Sequence, residues 1–165
     1  MSARFVTRTD GPPELPSAED VAEPVIAGGW WPDIDPAQAR EAHRFRDQKT
    51  VTPARLRAAL IHGILTAGAD LEPWRAEQAA AGHARLGDVP APAIDGTSRL
   101  VLLYRDAVAL YAKARIIERY RDFDTTGAGD RAIDALEGAP ETLRRDALHA
   151  IRDLKGRTRT LVELI

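Results

Sequence analysis

Residues Ser98 to Phe123, SRLVLLYRDAVALYAKARIIERYRDF, form the most apolar long segment in the chain, and the rest of the protein has to be organised around them. Leu100, Leu103, Tyr104, Ala107, Val108, Tyr111 and Ala114 recur at spacings of three and four, and Val101, Leu110, Ile116 and Ile117 widen that stripe. The spacing predicts a helix. A helix that is apolar around most of its circumference needs partners on several sides, so this one belongs at the centre of a bundle. Thr97 or Ser98 is expected to cap its start, and the arginines around 119–121 suit the far end of its dipole.

Shorter segments on either side supply those partners. Asp35 followed by Pro36 is an N-cap with proline at the first helical position, which predicts a short helix from Pro36 to about Arg46. Thr52-Pro53 repeats the signal and opens a second helix. Its apolar face, Leu56, Leu60, Ile64, Ala67, Leu71 and Trp74, stays coherent to about Ala81. Because the phase continues past Pro73, that proline predicts a kink and not an end, and Gly82 closes the helix. Residues 83–97 read as a loop, as does DTTGAG at 124–129. From Asp130, Ile133, Leu136, Leu143, Ala147, Ile151 and Leu154 hold one phase across Pro140, either as one kinked helix or as two short ones in series.

The expected fold is therefore all-α: a small bundle of about four helices, residues 30–157, around the central apolar one. Two appendages flank it. Residues 1–29, rich in proline and glycine, read as an extended arm, and residues 158–165 as a short strand-like tail. Charge is divided unevenly between these parts: residues 1–35 hold two arginines against seven acids, while 36–165 hold 21 basic and 18 acidic residues. An acidic arm thus precedes a mildly basic body. The imbalance is too small to argue for nucleic-acid binding by itself.

Little in the sequence offers chemistry. The absence of cysteine excludes disulfides and thiolate metal sites and suits a reducing compartment. Histidines 43, 62, 83 and 149 show no metal-ligand spacing. The pairs Asp33/Asp35 and Asp122/Asp124 flank helix ends, where capping is the ordinary use. Gly127-Ala128-Gly129-Asp130 has neither the preceding strand nor the following Lys-Ser/Thr of a phosphate loop. No catalytic residue, cofactor or metal is expected. The first residues lack an apolar core of signal-peptide length, and no run is long enough to span a bilayer, so a soluble, non-exported protein is expected.

Two kinds of residue invite a binding role. Trp30 and Trp31 sit together in a proline-bracketed turn; either one staples the first helix while the other stays exposed, or the pair forms an interface. In the tail, Leu161, Val162, Leu164 and Ile165 either fold back beside Leu154 or add as a strand to a partner. The cations Lys113, Arg115, Arg119, Arg144 and Arg145, diluted by acids on the same helices, form either a solvated mixed face or a weak track for DNA phosphate.

The WPDIDP turn, the VTPARLR helix start, the AGHARLGDVPA loop ending in IDG and the IIERYRDFD helix exit together resemble the phage head completion family, the L-type head–tail connectors of contractile-tailed temperate phages. The resemblance runs from about Trp30 to Ile165. It implies a structural virion protein without catalytic activity, made in the host cytoplasm and placed at the head–tail junction. There it would form a homo-oligomeric ring, dodecameric by resemblance, beneath the portal protein. The ring would retain packaged double-stranded DNA through weak, non-specific contacts and present a surface to tail-side connector or terminator proteins. Trp30, Trp31, Leu161, Val162, Leu164 and Ile165 are then candidates for partner docking, and the five cations above for the channel wall. The competing reading is a small helical DNA-binding regulator, which should offer a strongly basic helix that this chain lacks.

Overall fold

The computed structural model describes residues 24–45, 51–123 and 139–157. Among them are four α-helices, α1 (Pro36–Ala42), α2 (Pro53–Ala80), α3 (Arg99–Phe123) and α4 (Pro140–Leu154), and a two-stranded antiparallel hairpin, β1 (Ala93–Ile94) with β2 (Thr97–Ser98). No helix among the described residues is long and apolar enough to cross a membrane.

α3 is central, as its sequence requires. α2 packs along one side of it and α4 along another, and these two helices have little contact with each other. Leu100, Tyr104, Ala107, Val108, Tyr111, Ala112, Ala114, Ile116 and Ile117 are all buried. α4 turns Leu143, Ala147, Ala150, Ile151 and Leu154 onto them. From the other side come Leu56, Leu60, Ala67 and Leu71 of α2, with Ile64 and Trp74 half-buried at the margin. The closest approach of α2 and α3 is at Gly63, where an added Cβ would stand 2.3 Å from the carbonyl oxygen of Val108. Only a hydrogen fits there, so glycine sets the distance between the two main helices despite its cost in helix propensity.

Caps place the helix starts where the sequence puts them. The Asp35 carboxylate accepts from the backbone N–H of Ala37 at 2.9 Å and of Gln38 at 3.4 Å, and Thr52 Oγ1 accepts from Arg55 N–H at 3.4 Å. α2 runs unbroken through Pro73 and ends ahead of Gly82, whose φ is +97°. α1 is shorter than expected, stopping at Ala42. Arg40 then donates to the carbonyls of Phe45 and Val51, drawing the two fully buried side chains that flank the connection towards each other.

Two expectations need correction. Thr97 and Ser98 do not form a side-chain cap on α3; they are the second strand of the hairpin, and Ser98 Oγ has no hydrogen-bond partner. The hairpin turns at Asp95-Gly96, both with positive φ (49° and 70°), the geometry in which an Asp-Gly pair matches the twist of its strands. Residues 83–97 are also not a bare loop: Leu86 to Asp88 make a single 3₁₀ turn that buries Leu86 completely. At Pro140 the structure decides against the first of the two alternatives, a single kinked helix: the proline opens a helix, at the position where its missing N–H costs nothing. The expected loop at 124–129, the helical phase from Asp130 to Gly138 and the tail at 158–165 lie outside the described residues, as does most of the N-terminal arm. The part of the arm that is described belongs to the fold, since Ile26 is buried and exchanges both backbone hydrogen bonds with Ile34.

Candidate functional site

Both tryptophans are half-buried and pack within the subunit. Trp31 stacks on Tyr104 with rings parallel to within 1° and centroids 4.8 Å apart, and its indole N lies 3.6 Å from where a side chain at Gly68 would begin. Trp30 meets Trp31 edge-on at 4.8 Å and Trp74 edge-on at 6.3 Å, and it donates its indole N–H to the carbonyl of His83 at 3.0 Å. Each ring therefore has both an apolar contact and, for Trp30, a polar partner within the subunit. The turn itself requires Gly28, where a Cβ would lie 2.4 Å from the carbonyl oxygen of Trp31. Neither tryptophan is the exposed member of a pair. The WPDIDP turn is a clasp that closes the chain over the junction of α2 and α3.

The five cations separate in the same way. Lys113 is buried, at 7% exposure, and its ammonium donates to the carbonyl of His43 at the end of α1. Its role is to satisfy a backbone acceptor that the helix leaves open. Arg144 on α4 makes a bidentate contact with Glu118 on α3, and Arg145 pairs with Asp146 at 3.2 Å. Arg115 is half-exposed and Arg119 exposed, and these two come together with Arg55 of α2 around one groove of about 330 Å³.

Polar ties complete the bundle. Tyr111 donates to the Asp70 carboxylate at 2.9 Å, and Lys155 reaches the Asp70 carbonyl, so one turn of α2 is bound to both α3 and the end of α4. Burial, together with this carboxylate, holds the Tyr111 phenol well above its usual range. His43 stands 3.7 Å from Asp106, but burial, reinforced by Lys113, keeps its pKa below the ordinary value. Asp106 is raised, again first by burial. Both shifts run towards the neutral forms, which weakens the pairing of His43 with Asp106. Among the described residues no three of His, Cys, Asp and Glu are placed to hold a metal ion.

Several aliphatic side chains also remain outward. Ile61 and Leu65 on α2, 40% and 66% exposed, lie off its buried stripe, with Ala69 exposed beside them. Leu148, 47% exposed, projects from α4, and Ile94 and Leu102 lie exposed at the hairpin and the first turn of α3. Sequence periodicity passed over Ile61 and Leu65 because they fall off the buried stripe of α2. The available signal was two aliphatic residues four apart on the face opposite that stripe.

A family model described as phage head completion protein matches residues 25–165. The chain is also similar to the head completion/stabilization protein of Escherichia phage P2, with 42% identity over 144 residues, 87% of this chain and 84% of that protein. No solved structure matches it.

Proposed function

The chain belongs to the phage head completion protein family, and on that premise we propose that it is an adaptor that binds beneath the portal once the genome is packaged, helps retain the DNA and offers a docking surface to the tail-side proteins. The observation that carries this reading is the similarity to the phage P2 protein over nearly the whole of both chains. The geometry is compatible with it. A ring of identical subunits needs two different faces that meet each other, and here aliphatic side chains stand exposed on helices that flank α3 from different sides, Ile61 and Leu65 on α2 and Leu148 on α4.

The tail Leu161, Val162, Leu164 and Ile165 is retained as the segment that docks on the portal, by adding a strand to a sheet edge there. Any contact with DNA falls to Arg115 and Arg119, with Arg144 and Arg145 contributing less because each already faces a carboxylate. Such contact is weak and independent of sequence, as a channel through which DNA moves requires. The test is light scattering of the protein over a concentration series, alone and with purified portal. The expected result is a monomer or small oligomer alone and several copies bound per portal, with truncation after Thr158 abolishing binding while leaving the melting temperature unchanged. A protein that stays free with saturating portal overturns the reading, and tight binding to one duplex sequence over random competitors favours the DNA-binding regulator in its place.

A further inference from the structure

The groove between the first turns of α2 and the second half of α3 has an apolar floor, Ala54, Ala58 and Ile116, and a rim of three guanidinium groups, Arg55, Arg115 and Arg119. Among the described residues, none that lines it is acidic. Such a site fits an extended peptide that alternates carboxylates with small or aliphatic residues, since the arginines can take the carboxylates while the floor takes the rest.

The chain contains one such segment. Between residues 9 and 24 there are five carboxylates, Asp10, Glu14, Glu19, Asp20 and Glu23, interspersed with Leu15, Ala18, Val21 and Ala22, and no basic residue. Its end is held beside the groove: the carbonyl of Pro24 accepts from Arg57 on α2 at 2.6 Å, within one turn of Ala54 and Ala58. Arg57 stands beside the exposed alanine edge of the groove, Ala54 and Ala58. Ten extended residues reach about 33 Å, several times the width of a helix backbone, which is long enough to span from Pro24 to the groove.

We propose that the acidic segment 14–23 of the same chain occupies this groove in the free subunit, with its carboxylates on Arg115 and Arg119 and its aliphatic residues over Ala58 and Ile116. The contact needs neither portal nor DNA and so stands apart from the adaptor reading; duplex DNA is a competitor for the same arginines.

Because the chain has no cysteine, disulfide trapping in the full-length protein tests this cleanly. Ala18→Cys is combined with Ala58→Cys at the groove, or with Leu65→Cys, which lies two turns further along α2, within reach of the tether but outside the groove. The expected result is an intramolecular disulfide that forms at least tenfold faster with position 58 than with 65. The preference should fall at high salt and disappear with Arg115→Glu/Arg119→Glu. Restoration of the preference by Glu19→Lys and Asp20→Lys in that background, with unchanged helical circular dichroism, separates charge pairing from misfolding. Equal rates at 58 and 65, or a preference indifferent to charge reversal, overturn the proposal. Disulfides that form only between molecules overturn the same-chain assignment and give the groove to the arm of a second copy.

Discussion

The two long faces of α2 both carry aliphatic side chains, with opposite fates. The inner one carries Leu56, Leu60, Gly63, Ala67 and Leu71 against α3; the outer one carries Ile61, Leu65 and Ala69 into solvent. A helix whose only task was to complete this bundle would be polar on its outer side. An outer side that is not polar is what the proposed adaptor role calls for, and on that proposal substitutions on the two faces should fail in different ways.

Gly63→Val is expected to have the largest effect. The new side chain meets the Val108 backbone and not a movable side chain, so α2 and α3 must separate along their length, and the loss should exceed about 4 kcal/mol. Urea unfolding measures it; a loss under about 1 kcal/mol would mean that the crossing is looser than this structure has it. Trp31→Ala comes next, with an expected loss of about 3 kcal/mol from removing a half-buried ring stacked on Tyr104. If Trp31 were an interface residue instead, stability would hold and only assembly would suffer.

A pH effect follows on the inner side. His43 has a folded pKa below its unfolded value of 6.5, chiefly because it is buried. Its contribution is therefore fully present above about pH 6.5, where both states are neutral, and is lost as pH falls below that value and the unfolded state binds the proton first. His62 shifts in the same direction, by burial and then by the field of Arg115, Arg119 and Arg144. The melting temperature should drop between pH 7.5 and 5.5 and drop less in His43→Gln. An identical slope in the variant would remove His43 from the account. The smallest change in stability belongs to the outer face: Leu65→Ser should alter unfolding by no more than about 0.5 kcal/mol while lowering the number of copies bound per portal. Wild-type binding by this variant would leave the outer face of α2 without an assembly role.

Much of the fold was legible because it rests on local rules. The stripe on α3, the Asp35 and Thr52 caps and the end of α2 before Gly82 each follow from a few neighbouring residues. The hairpin was legible too, through Asp95-Gly96, but proline, glycine and alanine around it gave the appearance of a plain loop. Pro140 was ambiguous for a physical reason: the same missing N–H marks either a break within a helix or its first turn, and the apolar phase before it fits both. The candidate surfaces were less legible. An arginine looks the same in sequence whether it faces water or a carboxylate, so only the contact with Glu118 distinguishes Arg144 from Arg119, and only the carbonyl of His43 explains a buried Lys113.

By itself the sequence determined which segments are helical, where most of them start, that α3 is central and which family the chain resembles, because propensity, capping and periodicity act over a few residues at a time. Tertiary structure alone decided that both tryptophans close the subunit, that Gly63 sets the spacing of its two main helices and that three arginines from α2 and α3 share one groove. Those outcomes depend on distances between residues tens of positions apart, which no local pattern specifies.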